Sequence, residues 1–346
     1  MMFLVLVLII FLTFYSIYDK ESLKVIINSI KNISFYYVII GVFIIGAYFV
    51  LQGIYMKIML SVFDREISLK KGVFYSLVEF YFSGITPSST GGQPVELYYM
   101  SKDKIPVKTS YIVLVLNTIY FKIALLSLSI LVLVFKGDYI FSNDFIYILF
   151  FVLGFITDLA MVVLGLMLLG NKKLIKKVLT FFYKIGMHFK IIRKRIKNKR
   201  IEDIIEKYND EIKTLKKNKK ALLVSFVVTF IQRLTLFSIA YVVYKALGFN
   251  KYSYLDLLTI QVSAQTAIEV LPLPGGACLS ENMIRDMFTK IFNENLADVG
   301  MLLTRTFSFY IPLLVSGFIV LVYTTIIKRR NKNINNQKEK INIDKK

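Results

Sequence analysis

The chain has 346 residues, of which 56% are hydrophobic and 15% aromatic, and its formal net charge is +21. Apolar runs of about 20 residues, the length that crosses a bilayer as a helix, recur along the chain, and no hydrophilic stretch is long enough for a sizeable soluble domain. The single cysteine, Cys278, and the single histidine, His188, exclude an intrachain disulfide, a cysteine metal cluster and paired histidine ligands. The composition predicts an all-α, polytopic membrane helical bundle.

Apolar length predicts about six full spans. They are placed at about 1–18, 35–62, 109–135, 145–169, 220–248 and 299–327. The first run lacks the basic start and the small-residue cleavage site of a signal peptide, so we interpret it as a retained span.

Two shorter apolar segments are interrupted by proline and glycine. They are GVFYSLVEFYFSGITPSSTGGQPVELYYM (72–100) and SYLDLLTIQVSAQTAIEVLPLPGGACLSENMIRDMF (253–288). Proline removes a backbone donor and clashes with the preceding turn, and a glycine pair weakens a helix further. Irregular backbone at membrane depth must be covered by protein or must line a watery cavity. Each segment is therefore predicted to be a re-entrant helical hairpin.

Charge in the loops predicts the topology. Residues 171–220 carry 18 Lys or Arg against 5 Asp or Glu, and the C-terminal residues are also basic. The positive-inside rule places both regions, and both termini, in the cytoplasm, which requires the second segment to return to the side it entered from. The hairpins would then enter from opposite faces, which is typical of inverted repeats, here about 35–135 and 220–327.

The two basic regions are expected to be peripheral. Residues 171–220 are predicted to form amphipathic basic helices or a solvated linker against anionic lipid headgroups, and 329–346 a disordered basic tail. Because no nucleic-acid-binding motif accompanies the charge, we expect no nucleic-acid partner.

The first Pro/Gly element is a candidate anion site. Its glycines could expose backbone N–H groups, and a helix beginning near Pro94 would aim its positive end at the same spot. The alternative is a helix break that only shapes the bundle. The candidate residues are Thr86, Pro87, Ser88, Ser89, Thr90, Gly91, Gly92, Gln93, Pro94 and Glu96.

The second element repeats the pattern of prolines followed by a glycine pair. Its candidate residues are Glu269, Pro272, Pro274, Gly275, Gly276 and Glu281, whereas Cys278 is interpreted as a small packing residue.

Ionisable or polar groups inside apolar helices form the third candidate set. They are Arg233, Arg305, Glu79, Asn117, Lys122 and Asp158. Such groups are costly in lipid, so they either form internal ion pairs that hold the bundle or line a cavity in which the arginines bind an anionic headgroup. The sequence contains no recognisable catalytic constellation, and we predict no cofactor or metal.

These motifs resemble a known family. ITPSSTGGQPVELYYM, the later LPLPGG with Glu281, and the Arg305 span ending in Pro312 resemble the lysylphosphatidylglycerol synthase transmembrane region, also called the flippase-like domain of the multiple peptide resistance factor. The resemblance covers about residues 1–328. The second motif departs from the family pattern, because residues 277–280 stand where a further glycine is common before the glutamate.

The resemblance implies lipid translocation. In full-length members, a membrane domain like this one moves aminoacylated phosphatidylglycerol, such as lysylphosphatidylglycerol, to the outer leaflet of the cell membrane, which is linked to resistance to cationic antimicrobial peptides. We expect the chain to lack the C-terminal synthase domain, because it ends shortly after its last span. The expected partner is a membrane phospholipid.

Three alternatives stay open at this stage. The chain could act as a phosphatidylglycerol lysyltransferase, alone or with a separate lipid-modifying synthase, and a tRNA would then be a partner. It could carry a small anionic solute, or it could be an assembly partner that transports nothing.

Overall fold

The computed structural model describes residues 31, 33–86, 89–142, 144–170, 210–269, 285–292 and 294–326. Every regular element in these ranges is helical. The long helices are α1 (Phe35–Ser61), α4 (Val107–Phe141), α5 (Phe145–Gly170), α6 (Lys219–Ala246) and α8, which begins as Glu294–Arg305 and continues through a π-helical turn, Thr306–Tyr310, to residue 326. The shorter helices are α2 (Leu69–Gly84), α3 (Gly92–Lys102) and α7 (Tyr254–Ile268).

The five long helices are long and apolar enough to cross a membrane. They correspond to five of the six predicted spans, and the sixth, at 1–18, lies outside the described residues. Their outward faces carry large apolar side chains, such as Phe43 at 74% exposed and Val134 at 72% exposed. Contiguous apolar surface of this kind would be unfavourable in water, so lipid is its natural solvent.

Helix α4 is longer than predicted. The sequence placed its end at about 135 because Lys136 reads as the start of a loop, but the helix continues to Phe141 across a kink at Lys136 (φ −140°). The Lys136 ammonium forms an ion pair with Asp256 at 2.7 Å. A partner on a neighbouring helix therefore lets a charged residue continue the helix, and the predicted loop 136–144 shrinks to 142–144.

The first hairpin, formed by α2 and α3, turns back on itself as predicted. Helix α2 is capped by Ser68, whose hydroxyl accepts the N–H of Lys71. The chain leaves the helix after Gly84 and resumes at Gly92 as α3. The two ends meet, because Asp103 Oδ2, just after α3, lies 2.7 Å from Lys71 Nζ and accepts a hydrogen bond from Tyr75 at 2.6 Å.

The second hairpin consists of α7 and the returning residues 285–292. Ser253 and Asp256 begin α7 with a capping box, in which each side chain bonds the other's backbone N–H. The predicted Pro/Gly tip, 270–284, lies outside the described residues. Beyond it, the Lys290 carbonyl accepts a hydrogen bond from the Tyr252 hydroxyl at 3.1 Å, so the chain has returned to the level at which it entered.

The two hairpins enter from opposite sides of the bundle. Lys71, at the base of the first hairpin, donates to Tyr323 near the end of α8 at 2.6 Å. Lys290, at the base of the second, donates to the Ser142 carbonyl at the end of α4 at 3.2 Å. We call the side of the bundle at the base of the first hairpin the Asp103 side, and the side at the base of the second hairpin the Lys290 side. Helix α4 runs from one to the other, since it starts four residues after Asp103 and ends beside Ser142. The opposed entry predicted from loop charge is therefore present, while the inverted repeats stay a prediction.

Part of the basic segment packs on the bundle. Of the two alternatives for residues 171–220, amphipathic helices or a solvated linker, the helical one fits residues 210–217, which form a short helix in which Ile212 and Leu215 are buried. Glu211 pairs with Lys108 at 2.8 Å, which fixes this helix on the Asp103 side. Two apolar side chains three residues apart share a helix face and remove it from solvent. Residues 171–209 lie outside the described ranges.

Candidate functional site

The tip of the first hairpin is closed by its own polar groups. The Thr86 hydroxyl donates to the Phe82 carbonyl at 2.6 Å and accepts the Gly91 N–H at 2.8 Å. Ser83 donates to Glu79 Oε1 at 2.9 Å. The predicted role of the glycines therefore changes in part: the Gly91 N–H is bonded within the tip rather than presented to a ligand. Pro87 and Ser88 lie outside the described residues.

Gly92 is required at this tip by close packing. A Cβ at this position would overlap the Ser83 hydroxyl and lie 2.7 Å from the Glu79 carbonyl oxygen. Helix α3 begins here, two residues before the predicted start at Pro94, and no side chain caps its first N–H groups. The positive end of this helix dipole therefore lies buried against α2, close to the Glu79 carboxylate, and the anion site stays a prediction.

Helix α3 carries two further predicted residues in different surroundings. Gln93 Nε2 donates to the Thr118 hydroxyl on α4. Glu96 is fully buried, and within the described part of the chain neither of its carboxylate oxygens has a hydrogen-bond partner. Gln93 thus ties the tip to α4, whereas Glu96 faces the protein interior and not an open cavity.

The end of α7 joins a buried ion network, which we call the Lys122 triad: Lys122, Asp158 and Glu269. Lys122 Nζ lies 2.6 Å from Asp158 Oδ1 and 2.6 Å from Glu269 Oε2. The exposed side-chain fractions are 8%, 0% and 19% respectively. Gln265, one turn before Glu269, donates to its other oxygen at 2.9 Å. Three groups that the sequence identified separately, on α4, α5 and α7, therefore form one cluster.

The two hairpins contact α4 one turn apart. The Thr118 hydroxyl accepts a hydrogen bond from Gln93 of the first hairpin, and Lys122 forms an ion pair with Glu269 of the second. Four residues correspond to a rise of about 6 Å along a helix. Both contacts fall near the middle of α4, whereas the predicted convergence of the two Pro/Gly elements stays a prediction, because the second element lies outside the described residues. The remaining candidates of the second tip, Pro272, Pro274, Gly275, Gly276 and Glu281, lie outside the described residues.

Arg233 of α6 lies beside the part of α4 that these two contacts occupy. Its guanidinium carbon is 3.8 Å from the centre of the Phe121 ring, on the α4 turn between Thr118 and Lys122. It also interacts electrostatically with Glu79 of the first hairpin. An arginine stacked on an aromatic face keeps the N–H groups along its edge available for hydrogen bonds.

Arg305 lies on α8. It ends the α-helical part of that helix, just before the π-helical turn, and its guanidinium lies 4.8 Å from the Phe309 ring. Phe309 in turn lies 6.3 Å from Phe80 on α2. π-Helical turns are rare and occur often at functional sites. The two predicted arginines thus lie on different helices, and for Arg305 it is Phe309 that contacts α2.

Sequence reasoning missed several contacts. Thr118, not its neighbour Asn117, joins the first hairpin to α4, while Phe121 and Gln265 support Arg233 and Glu269. The pairs Thr118/Lys122 and Gln265/Glu269 are each four residues apart, so helical spacing around the predicted charges could have identified them.

The described residues were also compared with the ligand sets that bind metal ions. Among the residues that the structure describes, no group of three or more His, Cys, Asp or Glu side chains is placed to hold a metal ion.

Comparison with known proteins gives two results. A "UPF0104 membrane protein" of Archaeoglobus fulgidus is 24% identical over 315 residues, which cover 88% of this chain and 91% of that protein. Residues 2–316 match the family described as the lysylphosphatidylglycerol synthase TM region. The match extends over α1 to α7, the first part of α8 and the Lys122 triad, and this chain therefore belongs to the lysylphosphatidylglycerol synthase TM region family.

Proposed function

We propose that this protein moves a phospholipid with an anionic or aminoacylated headgroup, such as lysylphosphatidylglycerol, between the leaflets of the cell membrane. The observation that carries the proposal is the pair of opposed hairpins whose contacts on α4, at Thr118 and Lys122, lie one turn apart. Transporters with broken helices bind cargo near the midplane, where such elements meet, and open to one side at a time.

The headgroup would be held through its phosphate by Arg233 and Arg305. Arginine can give two parallel hydrogen bonds to phosphate oxygens, and the stacking of Arg233 on Phe121 fixes the plane of its guanidinium. The acyl chains would remain in the bilayer against the apolar outer faces of the spans. The uncapped start of α3 at Gly92 adds positive potential at the same depth.

A cleft on the Asp103 side is a suitable entrance for the headgroup. It measures about 470 Å³, and its lining carries three basic side chains, Arg65, Lys71 and Lys104, beside three acidic ones, Asp64, Glu66 and Asp103. Because basic loops remain in the cytoplasm, we assign the Asp103 side, with both termini, to the cytoplasmic face. A headgroup that carries both a phosphate and an ammonium, such as that of lysylphosphatidylglycerol, would then meet charges of both signs before it reaches the hairpins.

Leaflet-resolved lipid labelling tests the proposal. The purified full chain is reconstituted into vesicles with fluorescent phosphatidylglycerol or lysylphosphatidylglycerol, and the outer-leaflet fraction is followed by chemical quenching. Arg233→Gln and Arg305→Gln are each expected to slow translocation at least tenfold. The control is Arg285→Gln, which removes a guanidinium that is 44% exposed and paired with Asp298 at the protein edge. Equal rates in all folded variants would contradict the proposal.

The same preparation separates the alternatives. Expression in a host without lysylphosphatidylglycerol, followed by mass spectrometry of its lipids, would reveal lysyl transfer. Uptake of radiolabelled phosphate or a small carboxylate by the vesicles would reveal a solute transporter. Either signal, without movement of labelled lipid, would replace the lipid proposal.

A further inference from the structure

The Lys122 triad carries an unbalanced charge. With all three groups ionised, one ammonium faces two carboxylates, a net charge of −1 where the Asp158 side chain is 0% exposed. An uncompensated charge costs several kcal/mol in a protein interior, and all three groups lie on helices that we place in the bilayer. The cluster therefore needs one more positive charge.

The hydrogen bonds show where that charge would sit. Three of the four carboxylate oxygens accept N–H groups: Asp158 Oδ1 and Glu269 Oε2 from Lys122, and Glu269 Oε1 from Gln265. The fourth, Asp158 Oδ2, is buried and has no hydrogen-bond partner within the described ranges. A proton on this oxygen would neutralise the triad without displacing any existing bond.

We propose that Asp158 is a proton-binding site, and that exchange of this proton accompanies the transport cycle. The ion is a proton rather than a metal cation for two reasons. Metal cations such as Ca²⁺ take six or more oxygen ligands, and here a single oxygen is available. The Lys122 ammonium, 2.6 Å from both carboxylates, would also repel a second cation.

The groups that face Asp158 allow such an exchange. Helix α4 presents Lys122 and α7 presents Glu269, and these are the charged groups that act on Asp158 among the described residues. Glu269, at the end of α7, is 19% exposed and shares Lys122 with the fully buried Asp158 carboxyl. A change at Asp158 can therefore act on α7 through Lys122. Because Asp158 is 0% exposed, its proton would leave through the partly exposed Glu269 carboxyl to water, after which Lys122 can strengthen its pairing with Asp158 and loosen its hold on Glu269. Proton release would thus be communicated to the second hairpin.

Infrared difference spectroscopy tests proton binding directly. The full chain in detergent is titrated with acid and base, and the C=O band of a protonated carboxylic acid is followed. Asp158→Asn should lose one such band, and Asp158→Glu should shift it. Glu66→Gln, which changes an exposed carboxylate in the α1–α2 loop, should leave it unchanged. A band that persists unshifted in both folded Asp158 variants would overturn the proposal.

Coupling to lipid movement rests on the proposed function and needs a second measurement. In vesicles, an imposed pH gradient should change the wild-type translocation rate severalfold, and Asp158→Asn should lose this response. A sodium gradient that replaces the pH gradient in driving transport would overturn the proposed coupling to protons, as would a wild-type transport rate that does not change with pH. If no lipid moves in any vesicle while the infrared band behaves as expected, the proton site stands and the lipid proposal fails.

Discussion

The two hairpins have the same topology but are held by different chemistry. The tip of the first is closed mainly by neutral groups, since the Thr86 hydroxyl bridges Phe82 and Gly91 and Gln93 reaches Thr118, and its one carboxylate, Glu79, accepts a hydrogen bond from Ser83 without forming an ion pair within 4 Å in the described residues. The described end of the second is held by charge, through Glu269 and the Lys122 triad. Neutral hydrogen bonds contribute about 1 kcal/mol each, whereas breaking a buried ion pair costs several times more. The second hairpin should therefore respond far more strongly to a change in charge.

Their glycine contacts differ as well. In the first hairpin, Gly72 approaches Gly53 of α1 so closely that a Cβ would lie 2.5 Å from the Gly53 carbonyl oxygen. Against the second, Gly154 of α5 packs on the α7 backbone, where a Cβ would overlap the Thr266 carbonyl oxygen. Small residues let membrane helices approach closely. One hairpin is thus fixed near its base and the other near its tip.

Removal of the Lys122 charge should have the largest effect. Lys122→Met leaves two buried carboxylates without their cation, and we expect it to cost about 3–5 kcal/mol or to prevent folding. Unfolding in detergent, followed by circular dichroism, measures the loss.

The matched control is the triple variant Lys122→Met, Asp158→Asn, Glu269→Gln, which removes all three charges and should recover much of the lost stability. If the single variant is as stable as the wild type, the triad does not hold the second hairpin.

Gly154→Ala should have the next largest effect. Its Cβ meets backbone, which cannot rotate away, so α5 and α7 must separate, at a cost of about 3 kcal/mol. Gly46→Ala is the control, because a Cβ there has no atom within 4 Å. The melting temperatures of Gly154→Ala and Gly46→Ala are compared, and a lower value is expected for Gly154→Ala. Similar values would show that the α5–α7 contact is loose enough to accept a methyl group.

Gly92→Ala should cost less, about 1–2 kcal/mol. The nearest obstacle is the Ser83 hydroxyl, which can rotate away, although the Glu79 carbonyl oxygen at 2.7 Å resists. The first tip should thus tolerate a methyl group better than the Gly154 contact does. Parallel melting curves of the two variants test this order, and the reverse order would mean that the first tip is the more rigidly packed.

Asp256→Asn should have the smallest effect, about 1 kcal/mol, at the aqueous end of α7. Partial burial acts to raise the pKa of Asp256, but hydrogen bonds with Lys136 and Ser253 outweigh it and leave the pKa below the ordinary value of 3.8. A lowered pKa contributes stability that is present above 3.8 and is lost as the pH falls through the folded-state value. The stability difference between wild type and Asp256→Asn should therefore shrink below pH 3.8.

Unfolding curves across that range measure the difference. A gap between wild type and Asp256→Asn that does not change with pH would contradict the linkage, and Glu66→Gln serves as the exposed control.

Much of the fold could be predicted from the sequence because the bilayer leaves few choices. Apolar length gave five spans that correspond to the observed helices, and the charge of the basic regions required a second segment that returns. Boundaries were less predictable where a tertiary contact intervened. Lys136 continues α4 because Asp256 pairs with it, and residues 210–217 pack because Ile212 and Leu215 find an apolar surface.

The sequence by itself determined a helical membrane protein with two broken hairpins, because hydrophobic length and helix-breaking residues act locally. Only the tertiary structure decided how its polar groups combine. Lys122, Asp158 and Glu269 lie up to 147 residues apart, and no local rule links them. Their pairing follows from the way that α4, α5 and α7 pack, and so does the carboxylate oxygen left without a partner among the described residues.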